Sequence, residues 1–304
     1  MKSRYANVYR ASLITLGRSI LLAGLAVGLT LRVLPEKAAA APPDDQRLVT
    51  LGSSVTETVF ALGHGDSVVA RDSSSLFPAA ARELPEVGYY RNISAEGILA
   101  QNPDRVITTS EAGPPRALEQ LRQAGVDLVV VEESKTVDGS VQKARTIAEA
   151  LGEPDARVAE ELEDEITAAR DLAAATQKTP SVLFLMQVDG SGAAMAAGRG
   201  TGVDEMLRQA GAENAAGAIQ GYRDLSAEAI LVAAPDVVLV PDHLFGPEAG
   251  LDREALEPLL QPSPAWQNDR VHAVDLAKLA GFGPRTGQAL RELVQLLHPS
   301  TPSS

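Results

Sequence analysis

One pattern of thirteen positions occurs twice in this 304-residue chain, 132 positions apart. The first copy runs Tyr90-Arg91-Asn92-Ile93-Ser94-Ala95-Glu96-Gly97-Ile98-Leu99 and continues to Pro103-Asp104 and Val106. The second runs Tyr222-Arg223-Asp224-Leu225-Ser226-Ala227-Glu228-Ala229-Ile230-Leu231 and continues to Pro235-Asp236 and Val238. The period is far above the roughly 20–50 residues of stacked solenoid repeats. It predicts two similar lobes, each built around the same strand–loop–helix–strand unit. Two facing lobes leave a cleft between them, and a cleft is where a small ligand binds.

Residues 1–41 read as a signal peptide that is removed. Lys2, Arg4, Arg10 and Arg18 form a basic leader, residues 19–31 are an apolar run, and Ala38 to Ala41 supply small residues for cleavage before Pro42. The run is shorter than the ~20 apolar residues of a membrane span; an uncleaved anchor is the alternative. The chain has no cysteine, which excludes disulfides, thiolate metal sites, thiol catalysis and a lipidated cysteine anchor. These features predict a product exported to the periplasm, soluble, without a lipid anchor or stable membrane insertion. The net charge is −13, and it falls to −18 without residues 1–41, which hold six basic residues and one acidic one. Such a surface repels nucleic acid and anionic lipid.

Hydrophobic periodicity places an N-terminal lobe at 42–153, a connecting helix at 154–178 and a C-terminal lobe at 179–304. In the first lobe, strands are expected at 48–51, 67–70, 105–109 and 127–131. Helices are expected at 56–62, in the first repeat, and at 117–124 and 141–151. Residues 155–176 lack Gly and Pro, and Val158, Leu162, Ile166, Ala169 and Leu172 keep helical spacing. They predict one helix of about six turns. The second lobe is expected to hold strands at 181–186, 237–240 and 271–274, helices at 203–210, 227–234 and 286–297, and a Gly/Ala/Ser-rich stretch at 190–202. This alternation argues for an α/β fold, with parallel-type sheets flanked by helices in both lobes.

The chain has five tyrosines, and two of them leave with the leader. The remaining Tyr89, Tyr90 and Tyr222 all stand at the heads of the two repeats, followed by Arg91 and Arg223. A cation beside a phenol favours the phenolate, and a phenolate is a hard anionic ligand for ferric iron, haem iron included. Taken alone, the spacing favours plain loop packing, with the arginines paired to neighbouring acids. Ser94 and Ser226 read as helix N-caps, which puts Glu96 and Glu228 in first helical turns. An acid there is favoured by the helix dipole by some tenths to ~1 kcal/mol; alternatively, one exposed acid per lobe meets arginines on a partner. There is no G-x-S-x-G elbow, H-E-x-x-H or P-loop. The histidines at 64, 243, 272 and 298 form no metal-ligand spacing.

At these residues the chain resembles the periplasmic haem-binding proteins of ABC-type haem importers. They are the haem branch of the substrate-binding proteins that also carry cobalamin and iron–siderophores. The resemblance extends over essentially the whole chain after residue 41. It is most specific at Leu51-Gly52 through Val55-Thr56-Glu57, Ala70-Arg71-Asp72-Ser73, Leu84-Pro85 through Gly88-Tyr89, and Asn92 through Ala100. It continues at Ala194-Met195-Ala196-Ala197-Gly198 and at Gly281-Phe282 through Arg285-Thr286.

The resemblance implies capture of ferric haem as a transported ligand, not catalysis. It makes Tyr89, directly after the glycine, the axial iron ligand, with Arg91 supporting it. Arg71, Arg223 and Arg285 become candidates for the haem propionates, Met195 for contact with the macrocycle, and Tyr90 and Tyr222 further cleft residues. Some members place a histidine from the second lobe on the far haem face; here Gln187-Val188-Asp189-Gly190 stand there instead. Glu96 and Glu228 match the acids that meet arginines of an inner-membrane ABC permease dimer. A monomer is expected. The rivals are a cobalamin or siderophore carrier of the same superfamily and, more remote, a secreted α/β enzyme.

Overall fold

The structure, a computed structural model, describes residues 46–153, 157–188, 194–245 and 253–299. The expected signal peptide and residues 190–193 of the Gly/Ala/Ser-rich stretch lie outside them.

The first lobe contains β1 (Leu48–Thr50), α1 (Ser53–Ala61), β2 (Val68–Arg71), α2 (Ala79–Arg82), α3 (Ala95–Leu99), β3 (Arg105–Thr109), α4 (Pro115–Gln123), β4 (Asp127–Val131) and α5 (Val137–Leu151). Its four strands are all parallel, in the order β2-β1-β3-β4. Side chains alternate across a strand, so Val49, Leu51 and Val106 meet Ile98 and Leu121 on one face. Leu48, Val68 and Ile107 meet Val55, Val59, Ile147 and Leu151 on the other. Both faces are thus covered by helices, as a parallel sheet requires.

The helix α6 (Arg157–Ala174) follows, 18 residues or about five turns long. It is no free strut. Leu162, Ile166 and Ala169 share one buried cluster with Val137, Val141 and Ala144 of α5 and with second-lobe side chains. Burying Leu162 and Ile166 contributes about 1.5–3 kcal/mol each.

The second lobe holds β5 (Ser181–Val188), β6 (Ala194–Ala197), α7 (Gly202–Gln209), β7 (Glu213–Asn214), β8 (Tyr222–Leu225), α8 (Ala227–Ala233) and β9 (Val237–Pro241). It ends with α9 (Arg253–Leu260), α10 (Pro264–Gln267), β10 (Val271–Val274), α11 (Leu276–Ala280) and α12 (Thr286–Leu297). The strand order is β10-β9-β5-β6-β8, with β7 beside β5. Phe184 and Leu239 face α6 and α12; Leu183, Val238 and Val240 face Ile230 of α8 and Leu256 of α9. At the α6–α12 crossing, a Cβ on Gly287 would lie 2.5 Å from Glu165 Cβ. Glycine therefore sets how closely the two helices approach.

Two expectations need correction. The second sheet is mixed, because β6 runs antiparallel to both β5 and β8. The heads of the two repeats also fold differently. Tyr90–Asn92 forms a 3₁₀ turn, whereas Tyr222–Leu225 is a strand paired with β6. In the first lobe the same backbone bonds a loop instead: Ile93 N–H donates to Gly113 O, and Gly113 N–H to Tyr90 O.

Downstream of the heads, the copies agree. Asp104 and Asp236 play one part each. Arg47 N–H donates to Asp104 Oδ2 (2.9 Å), and Asp104 N–H returns a bond to Arg47 O. Ser181 N–H donates to Asp236 Oδ2 (2.9 Å), and Asp236 N–H returns a bond to Ser181 O. The Pro-Asp of the repeat pins the strand that opens each lobe.

Candidate functional site

A cavity of about 700 Å³ opens between the lobes. The first lobe supplies loops from the carboxyl ends of its parallel strands, where α/β sheets place ligands. Gly52 to Ser54 follow β1, Thr109 and Glu111 end and follow β3, and Glu133 and Lys135 follow β4. Tyr89, Tyr90 and Arg91 join this wall. The second lobe supplies Met186, Gly200 to Gly202, Tyr222, and residues of α11 with Gly281 and Phe282.

Tyr89 is aimed by its neighbour. Gly88 has φ +95°, open to glycine and strained for other residues. Tyr89 is 45% exposed. It meets the Tyr90 ring edge-on, centroids 4.8 Å apart.

Arg91 turns to Tyr90. Its Nε donates to Tyr90 Oη at 2.8 Å, and its terminal nitrogen pairs with Glu111. Arg91 thus bonds the neighbouring hydroxyl, and its interaction with Tyr89 is one of charge alone. At Tyr90 the cation favours the phenolate, but partial burial outweighs Arg91 and pushes Tyr90 up to about 12. Burial likewise pushes Tyr222 up. Both stay neutral phenols near pH 7.

A buried network lies below. Lys143, with a side chain 1% exposed, donates to Ser54 Oγ (2.9 Å) and to Glu133 Oε1 (2.7 Å). Gly52 N–H donates to Asp72 Oδ1. Lys143 holds the first turn of α1 against the loop after β4, and Asp72 ties Gly52 to the loop after β2.

Four sequence candidates thus meet at the cavity: Tyr89, Tyr90, Arg91 and Tyr222. Four others stand outside its lining. Arg71 is buried, and it donates to Ala81 O, Asp72 O and Glu86 Oε2. Arg285 makes a two-pronged pair with Glu57 (2.7 and 2.8 Å) and lies over the Phe77 ring. Arg223 follows Tyr222 in a strand, so the two side chains leave on opposite faces; its guanidinium donates to Tyr222 O. Met195 sits opposite Asp224 on β6. The expected serine caps are present, Ser94 accepting from Gly97 N–H and Ser226 from Ala229 N–H. They place Glu96 and Glu228 in first turns, away from the cavity. Sequence reasoning missed Glu111, Lys135, the Lys143 network and Met186. The first two follow parallel strands whose positions were legible, which is the signal that could have found them.

Among the described residues no His, Cys, Asp and Glu group of three could hold a metal ion, and no helix is long and apolar enough to cross a membrane.

A ligand-sized cleft between two α/β lobes suits capture of a small molecule. The chain belongs to the periplasmic binding protein family. The match spans residues 48–276. This is a family of binding proteins, not enzymes. Among solved structures of periplasmic binding proteins, the haem-binding protein RhuT from Roseiflexus sp. RS-1 in apo form is 43% identical. Its TM-score is 0.77, over 83% of this chain and 98% of that one. A periplasmic haem-binding protein from Pseudomonas aeruginosa is 34% identical with a TM-score of 0.75, over 85% of this chain and 95% of the other. The vitamin B12-binding protein of Vibrio parahaemolyticus is 26% identical over 82% of this chain and 88% of its own length.

Proposed function

We propose that this periplasmic binding protein captures ferric haem in its inter-lobe cleft and delivers it to an inner-membrane ABC permease. The observation that carries this reading is the Tyr89 phenol on the wall of a cavity of about 700 Å³, within the usual size of small-ligand sites. Ferric iron prefers a hard anionic oxygen, and displacing the phenolic proton gives it one. Tyr90 and Tyr222, neutral phenols, offer ring surface and a hydrogen-bond donor instead. Met186, on the opposite lobe, presents a polarizable thioether to a flat macrocycle. Similarity to haem-binding proteins at 34–43% identity supports the same reading.

Glu96 and Glu228 are the permease contacts in this scheme. Each heads a helix in equivalent positions of the repeat, so arginines of a two-fold permease meet both. Its own backbone N–H and the Ser226 hydroxyl hold the Glu228 carboxyl below its ordinary value.

Titration of the purified protein with hemin tests the proposal. A saturable spectrum with a phenolate-to-iron charge-transfer band is expected, and Tyr89→Ala removes that band and lowers affinity on the order of 100-fold. Cobalamin is the second reading, favoured by the vitamin B12-binding relatives. Saturable binding of cobalamin with no hemin spectrum selects it.

A further inference from the structure

Four charged side chains line the cavity, two acids and two cations, and a fifth, buried behind them, tips the balance. Glu133 is matched from beneath by buried Lys143, Nζ to Oε1 2.7 Å. That leaves Glu111 alone against two cations. Arg91 pairs with Glu111 Oε2, and Lys135 Nζ lies 3.8 Å from Glu111 Oε1. The wall is therefore net positive in a chain of net charge −13.

The arrangement is built by the fold. The Arg91 and Glu111 loops are joined by Ile93 N–H to Gly113 O and Gly113 N–H to Tyr90 O, at 2.8 and 3.0 Å. The loop that bears Lys135 is tied on by Glu133 N–H to Ser110 Oγ, 3.0 Å. Three loops from three different strands thus converge on one carboxylate. The pairs themselves are weak: Lys135 is 61% exposed and Arg91 50%. Ion pairs this open are worth little in water and exchange partners at small cost.

We infer that Glu111 is an internal stand-in for a ligand carboxylate, and that Arg91 with Lys135 is a carboxylate clamp which an arriving propionate takes over. This rests on the haem reading above. The clamp then distinguishes ligands by charge. Haem presents two ionised propionates, which can replace Glu111 on the cations. Cobalamin presents neutral amides at its ring edge, which cannot, so the Glu111 pairs stay closed against it. A guanidinium suits this task because it holds a carboxylate with two parallel N–H bonds.

The test compares hemin with its dimethyl ester, in which both propionates are masked. Wild-type protein should bind hemin about tenfold more tightly than the ester. Lys135→Met should remove most of that preference by weakening hemin alone, with ester binding unchanged. Glu111→Gln should strengthen hemin binding several-fold, by removing the competitor, and leave the ester unaffected. Equal binding of hemin and ester by wild type overturns the clamp while leaving the haem reading intact. So does a Glu111→Gln variant that loses hemin affinity, the result expected if Glu111 merely braces Arg91. A wild type that binds neither porphyrin overturns the haem reading itself.

Discussion

Two adjacent tyrosines in this cleft have different surroundings, and the difference comes from a few ångströms of placement. Tyr90 is half-buried, with its oxygen held by Arg91, while Tyr89 stays exposed at the cavity wall. Desolvation outweighs the guanidinium at Tyr90. The sign of its pH effect follows. A phenol whose folded-state value is raised from 10.0 to about 12 stabilises the fold fully below the lower figure. That contribution is lost as pH rises through the higher one. Stability measured by urea unfolding should therefore fall from pH 10 to 12 in wild type, and the fall should be shallower in Tyr90→Phe. Equal slopes would show that Tyr90 ionises normally. The tyrosines were legible because only three lie beyond residue 41. Which of them Arg91 would take was not, because that depends on the 3₁₀ turn it stands in.

At the scale of elements, the strands 105–109, 127–131 and 271–274 and the helix 286–297 have the bounds their periodicity predicts. Pro, Gly or Asp punctuates their ends. The short strands β6 and β7 and the Pro258-containing α9 were not foreseen. β6 exists through pairing with neighbouring β5 on one side and, on the other, with β8, which lies well along the sequence. The Pro-Asp pads give a direct check on the repeat. Asp104→Ala and Asp236→Ala each remove a bond to the backbone N–H of the opening strand. Each should cost ~1–2 kcal/mol in chemical denaturation, with similar values for the two. A large difference would mean that the two pads are not equivalent. Gly287→Ala sets two effects against each other. Alanine gains ~1 kcal/mol of helix propensity, but its Cβ would fall 2.5 Å from Glu165 Cβ and 3.1 Å from Ile166 N. Overpacking costs ~1–3 kcal/mol, and the backbone nitrogen cannot swing aside, so net destabilisation is expected. A raised melting temperature would show that α6 and α12 part easily.

For the molecule as a whole, two features hold the lobes in register: α6, packed between α5 and α12, and the Glu57–Arg285 pair. Glu57 belongs to the first lobe's α1 and is buried; Arg285 precedes the second lobe's α12. Burial keeps the Glu57 carboxyl above its ordinary value although Arg285 pulls it back. Arg285→Ala would leave that carboxylate buried without its fork, at a cost of about 3–5 kcal/mol. The deficit should grow as pH rises, since a carboxyl with a raised folded value is stabilising below 4.5 and loses that stability as pH climbs through the folded value. Urea midpoints at acid and neutral pH measure this; a pH-independent deficit would contradict it.

The amino-acid sequence by itself determined the α/β class, the two-lobed plan, the connecting helix and the place of the tyrosines at the repeat heads, because periodicity, punctuation and repetition are local properties of a chain. Only the tertiary structure decided which charged groups meet. Arg71 and Arg285, both fit for a ligand by type, are spent on Glu86 and Glu57. Lys135 and Glu111, unremarked in sequence, face the cleft. A side chain's charge is written in its residue type. Its partner is set by where separate strands end in space, and no local pattern records that.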